Sequence, residues 1–151
     1  MRRTPAVVVA LAALLGGAGA ALSSSTEFEL GAQLDVKQQV PKPPHPRRAA
    51  TGSLTGDLDH QAREVTWKLV YAKLSGAATS AHLHRGKRGV RGKIVLTLCA
   101  PTRRRCRSGI TGRTVVSRAT ISALEAGTVY VDVHTRRNPR GEIRGQVTVK
   151  R

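Results

Sequence analysis

Aromatic side chains are scarce in this chain: one Phe, one Trp and two Tyr among 151 residues. None of Phe28, Trp67, Tyr71 and Tyr130 is interleaved with basic residues. Base-stacking platforms need exposed aromatics within a basic surface, so the composition argues against specific nucleic-acid binding. Acidic residues are scarce as well, nine Asp and Glu against 26 Lys and Arg. Paired carboxylates for glycoside hydrolysis are not apparent, because Asp57 and Asp59 lie in one hairpin arm. Long helical patterns are missing, which excludes nucleotide-binding folds built from alternating strands and helices. There is no nucleophile elbow, no phosphate-cradling glycine loop and no supported Ser-His-Asp ordering. The chain therefore reads as non-enzymatic.

Apolar runs are confined to the start. Met1-Arg2-Arg3-Thr4-Pro5 is basic, residues 6–15 are uninterruptedly apolar, and Ala18-Gly19-Ala20 offers a small-x-small cleavage site. That pattern is a secretory signal peptide over residues 1–20. The competing reading, an uncleaved anchor, is weakened by a run shorter than the roughly 20 residues that a spanning helix needs. Arg2-Arg3 is ordinary basic charge, since Thr-Pro follows where a twin-arginine signal prefers apolar residues. No cysteine near the cleavage site offers a lipoprotein anchor, and no later stretch is long enough to span a membrane. Residues 21–26 are a short polar lead-in, and residues 27–151 suit one domain with one core. The predicted location is secreted or extracytoplasmic, in the cell envelope.

Arg2 and Arg3 are the only charged side chains of residues 1–20, so of the net +17 some +15 remains on residues 21–151. Such a field attracts anionic polymers. For an exported protein these are acidic cell-surface polysaccharides and lipid heads, and another extracellular protein is the other candidate partner. The cations concentrate in three runs: Arg85, Lys87, Arg88 and Arg91; Arg103, Arg104, Arg105 and Arg107; and Arg136, Arg137 and Arg140. A merely solubilising surface is the alternative reading. The two cysteines, Cys99 and Cys106, form an even count in an exported chain and point to a disulfide. Their spacing matches no common zinc or redox signature. The bridge closes an eight-residue loop, a constraint of roughly 2.5 kcal/mol in the chain-entropy model.

Alternation between residues 27 and 36 predicts a half-buried strand, with Phe28, Leu30, Ala32, Leu34 and Val36 on one face. The proline-rich segment 40–46 lacks the amide protons to continue a ladder. Further strands are predicted over 50–58, 64–74, 78–84, 93–99, 111–117, 128–135 and 142–149. Residues 120–127 suit one or two helical turns closed by Gly127. Eight short strands with regular turn signals predict an all-β fold, an antiparallel Greek-key-like sandwich or barrel of about 7–8 strands.

The order of motifs carries a family resemblance. Gln38-Gln39-Val40-Pro41 and Ala50-Thr51-Gly52 are followed by Leu74-Ser75-Gly76 and Ala81-His82-Leu83-His84-Arg85-Gly86. Then come Leu124-Glu125-Ala126-Gly127, Tyr130-Val131-Asp132-Val133-His134-Thr135, Asn138-Pro139 and Gly141-Glu142-Ile143-Arg144-Gly145-Gln146. This pattern resembles the CHRD (chordin-type) domain, over about residues 27–150. The resemblance implies an all-β extracellular binding or structural module. In animal chordin the domain belongs to a secreted growth-factor antagonist, a role that does not transfer to a single stand-alone domain. Gln39 departs from the family's more usual Glu before Val-Pro, and the arginine-rich disulfide loop is an elaboration.

Residues two apart on a strand share a face. His82 and His84 therefore project together, as do Tyr130, Asp132 and His134. Two readings of these histidines stand. In the first they make hydrogen bonds to backbone and to Asp132, Glu142 or Arg144 as a structural polar cluster. In the second His82, His84, His134 and Asp132 ligate zinc or copper. The His82–His84 run also resembles the copper-binding strand of exported copper/zinc superoxide dismutases, whose remaining ligands and active-site arginine have no counterpart here by motif. Glu142 and Arg144 share a face and are expected to form a buried ion pair beside His134. His45 and His60 are expected to be solvated.

Overall fold

The computed structural model describes residues 27–102 and 106–151. Both the signal segment 1–20 with its lead-in and the Arg103–Arg105 run lie outside the described residues. The elements are β1 (Glu27–Asp35), β2 (Thr51–Asp59), β3 (Glu64–Ala72), β4 (Ala78–Arg85), β5 (Ile94–Cys99), β6 (Ile110–Val115), α1 (Arg118–Glu125), β7 (Val129–Thr135), β8 (Ile143–Gln146) and β9 (Thr148–Lys150). All pairings are antiparallel. The strand order is β5-β4-β7-β8-β1-β2-β3-β6, with β9 alongside β1. One sheet thus curls into a nearly closed barrel, and of the two predicted architectures the barrel is the one formed.

Alternation explains the core. Leu30, Ala32 and Leu34 of β1, Leu54 and Leu58 of β2, and Val65, Trp67 and Leu69 of β3 all point inward and are buried. Ala81 and Leu83 of β4 and Val129, Val131 and Val133 of β7 join them from the other side. Helix α1 starts where Ser117 accepts a hydrogen bond from the Thr120 amide at 3.1 Å, an N-cap that satisfies one of the first turn's free donors. Gly127, at φ +63°, follows its last turn as predicted. The helix begins at Arg118, two residues before the predicted start, because that cap, not the apolar pattern, sets the boundary. Ile121, Ala123 and Leu124 seat it on the core.

The last predicted strand is two. β8 serves β7 and touches β1 at Asp35↔Arg144, whereas β9 pairs with Glu29–Gly31 of β1. Between them Val147 is fully buried, and its amide donates to the Val129 carbonyl at 2.9 Å. The backbones of β8 and β1 approach closely: a Cβ on Gly145 would lie 2.4 Å from the Gln33 carbonyl oxygen. Cys99 and Cys106 are disulfide-bonded, as predicted, at the end of β5.

Candidate metal centre

The same alternation that fills the barrel turns a second set of side chains away from it. On β4, His82 and His84 face opposite to Ala81 and Leu83. On β7, Tyr130, Asp132 and His134 face opposite to Val131 and Val133. The register places His82 across from Asp132 and His84 across from Tyr130, and β8 sets Arg144 across from Asp132 on the other side. Loop 86–92 folds back over the Tyr130–Arg144 end of this outer face, while His82 and His134 stay partly exposed. Arg144 donates to the carbonyls of Lys87 (2.9 Å) and Val90 (3.0 Å), and the Gly92 amide donates to the Tyr130 hydroxyl (3.3 Å). Asp132 is 3% exposed and Arg144 1%.

Four donor atoms converge there, one each from His82, His84, Asp132 and His134, all within 4.8 Å of one another. His134 Nε2 lies 2.9 Å from Asp132 Oδ1, and His84 Nε2 lies 3.1 Å from the same oxygen. His82 Nδ1 lies 3.3 Å from His134 Nε2. Donors bonded tetrahedrally at roughly 2.0–2.1 Å stand about 3.3 Å apart. Three of the distances therefore already have the scale of a coordination shell.

The tautomers sharpen the point. His84 Nδ1 sits 3.0 Å from the Gly92 carbonyl and His134 Nδ1 sits 3.0 Å from the Pro139 carbonyl. A carbonyl only accepts, so both Nδ1 atoms carry the proton, and in the neutral rings both Nε2 atoms are lone pairs. Those lone pairs face the Asp132 carboxylate, which is also acceptor-only. His84 Nε2 is buried and has no hydrogen-bond partner among the described residues. Carbonyls holding the far side of ligand histidines are the usual outer support of a metal site. A proton on His134 relieves part of the conflict, whereas one central cation relieves all of it.

The charges agree. Burial opposes ionisation of Asp132, but the close approach and charge of the His134 and His84 rings outweigh it and hold its pKa down to about 2. Burial also opposes a charge on His134, yet the hydrogen bond and charge of Asp132 raise its pKa above the ordinary value. Burial, and then the charge of His134, push His82 down to about 4, so His82 is a neutral donor at neutral pH. Nitrogen-rich donors with one carboxylate suit zinc and copper better than magnesium or calcium.

Two neighbours brace the site in a way the sequence did not foretell. Tyr130 stacks on His84 with ring centroids 4.9 Å apart and planes 3° apart, and the Arg144 guanidinium lies 3.4 Å over the other side of Tyr130. Placement of Tyr130 on the ligand face was legible from its spacing; the stack and the supporting carbonyls of Gly92 and Pro139 were not.

The expected Glu142–Arg144 ion pair does not form. Glu142 is fully buried and accepts from the amides of Ser75 (2.7 Å) and Arg47 (3.3 Å) and the hydroxyls of Ser75 (2.6 Å) and Thr135 (2.8 Å). With its oxygens engaged there, it leaves Arg144 to Tyr130 and loop 86–92. His60 is not simply solvated: its Nε2 lies 2.8 Å from Glu125 Oε1, and its ring packs at 4.9 Å from Phe28. His45 is exposed, and its backbone is tied to the Asn138 side chain. Of the basic runs, Arg85, Lys87, Arg88 and Arg91 are exposed in or beside the loop over the site. Arg136, Arg137 and Arg140 are exposed on the turn whose Pro139 carbonyl supports His134. Arg91 lies near enough for its charge to act on His134. Arg107 is exposed beyond the disulfide, towards β6.

The family model of the CHRD domain matches residues 30–147. No curated protein and no solved structure matches the chain.

Proposed function

The chain belongs to the CHRD-domain family, and from that premise we propose that it is an extracytoplasmic, non-catalytic metal-binding module. In this reading His82, His84, His134 and Asp132 hold one zinc or copper ion. The observation that carries it is the convergence of four metal-ligating atoms, of which those of His84, His134 and Asp132 are all acceptors with neutral rings, together with the buried Nε2 of His84 that finds no hydrogen-bond partner among the described residues. Four protein donors fill a tetrahedral shell, whereas catalytic zinc sites keep a position for water or substrate. That argues for binding and against superoxide-dismutase-like or hydrolytic chemistry. The disulfide and the apolar N-terminal segment support an oxidising, exported setting.

The test is elemental analysis of the protein purified without chelator or affinity metal, beside His84→Ala. One zinc or copper per chain, absent from the variant, is the expected result. A metal-free wild type that takes up neither ion on addition would refute the reading.

A second reading rests on the exposed cations around the same site: Arg85, Lys87, Arg88, Arg91, Arg136, Arg137 and Arg140. These favour acidic cell-surface polymer as a partner. The attraction is screened over a Debye length of roughly 8 Å at physiological ionic strength. Binding to a polyanion that persisted unchanged in molar salt would rule it out.

A further inference from the structure

The four donors are not held alike. The His84 ring is fixed by the Gly92 carbonyl on one edge and by the Tyr130–Arg144 stack on one face. His134 is fixed by the Pro139 carbonyl. Asp132 is buried, and its Oδ1 meets both of those rings. Among the described residues His82 has no such support. Its one hydrogen bond there, at 3.3 Å, goes to His134 Nε2, itself a donor to the metal, so loading the site removes it. Its ring otherwise meets the other two edge-on, at 5.6 Å from His84 and 5.1 Å from His134. It is partly exposed, where His84 and Asp132 are buried. The strand beneath it is irregular too: against β5, the register of β4 shifts both between Ala81 and His82 and between Leu83 and His84. Bulges of this kind loosen a ladder and re-aim side chains beside functional sites.

We infer that the site exchanges its metal through the His82 position, so that the domain carries an ion rather than being stapled by one. The inference rests on the metal-binding reading above. Asp132, His84 and His134 form a fixed three-donor cradle, and His82 is the latch. In the exchange step the metal–Nδ1 bond of His82 breaks as an incoming neutral imidazole-type nitrogen bonds to the metal. No oxidation state changes: the departing ring keeps its Nδ1 lone pair and the incoming nitrogen supplies its own.

Cobalt(II) is a suitable probe, since its visible absorption reports the ligand set. Wild type is expected to bind one cobalt per chain and to change its spectrum saturably with added imidazole. His82→Ala is expected to keep one cobalt per chain and a wild-type circular dichroism spectrum. Its affinity should fall by more than the roughly 10–100-fold seen when only a ligand's outer-shell partner is lost, and imidazole should restore both spectrum and slow release to a chelator. His84→Ala should neither retain cobalt nor respond to imidazole. Loss of cobalt from a folded His82→Ala as complete as from His84→Ala, with no rescue, overturns the exchange inference alone. A wild type that binds no cobalt, zinc or copper overturns the metal reading with it.

Discussion

Glu142→Ala is the substitution for which the structure gives the largest calculable effect. The carboxylate is fully buried and accepts four hydrogen bonds, from Ser75 N, Ser75 Oγ, Thr135 Oγ1 and Arg47 N. These bonds tie the proline-rich loop and the end of the β3–β4 connection to β7. Truncation takes from the buried Thr135 hydroxyl its 2.8 Å acceptor and leaves it the Ser75 hydroxyl 3.3 Å away, a loss of about 1–3 kcal/mol, and it weakens three partly buried donors that water can reach, so the total is about 3–5 kcal/mol. In a protein with a stability of about 5–15 kcal/mol that is a large fraction. The single tryptophan, Trp67, is 8% exposed in the core and reports unfolding in urea by fluorescence. Arg144→Ala loses two carbonyl contacts and the Tyr130 stack, an independent loss of about 2–4 kcal/mol. Because Glu142 and Arg144 share no partner among the described residues and engage separate groups, Ser75, Thr135 and Arg47 against Tyr130 and loop 86–92, the double variant should be additive within about 0.5 kcal/mol. A coupling well beyond that would mean that the two interact after all. A Glu142→Ala protein as stable as wild type would refute the account of the buried carboxylate.

Glu142 also sets an acid limit. Burial opposes its charge, but hydrogen bonds from Ser75 and Thr135 outweigh this and lower its pKa below the ordinary 4.5. A depressed folded-state pKa gives stability that is complete above the unfolded value and lost as pH falls through the folded one. Glu142→Gln should therefore flatten the pH dependence of urea midpoints below about pH 4.5; an unchanged acid limb contradicts the assignment. Gly112→Ala drives a Cβ to 2.2 Å from Trp67 Cζ2, an overpacking cost of about 1–3 kcal/mol that should also shift the tryptophan emission. Zinc at a hundred times its dissociation constant should stabilise the wild type by about 2.7 kcal/mol, raising the calorimetric melting temperature, with no shift in His84→Ala.

Much of this was legible because a barrel strand has a period of two. Leu30, Ala32 and Leu34 announced β1, and the His82/His84 and Asp132/His134 pairs announced a shared face. The disulfide followed from an even cysteine count in a chain with a signal-like start. What the sequence could not supply was depth and cross-strand register. The sequence set Glu142 and Arg144 on one face, but Glu142 precedes β8 and its carboxylate bonds Thr135, on the other side of β7 from the Tyr130 that Arg144 covers; Ser75 and Arg47, 67 and 95 residues away, complete its partners. His60 looked isolated because Glu125 lies on a helix far along the chain. The carbonyls of Gly92 and Pro139 decide which nitrogens of His84 and His134 are lone pairs, and backbone oxygens leave no mark in composition.

The two accounts of the histidines finally differ in sign. If His82 were a structural hydrogen-bonding residue, removing it would destabilise the protein whether or not metal is present. In the geometry found here its Nδ1 faces His134 Nε2, an atom already committed to Asp132. The strands that hold these rings are fixed from their other side by Ala81, Leu83, Val131 and Val133, so folding does not depend on the ligands agreeing with one another. In the metal-free protein the crowding of these rings is an electrostatic cost that a proton on His134 only partly relieves, and trimming the partly exposed His82 should be neutral within about 0.5 kcal/mol or mildly stabilising. With zinc saturating the wild type, the same substitution should be destabilising. Chemical denaturation of wild type and His82→Ala, each with chelator and with zinc, measures both differences. A clear loss of stability in chelator, equal to that in zinc, would make the histidines a hydrogen-bonded scaffold instead of a binding site.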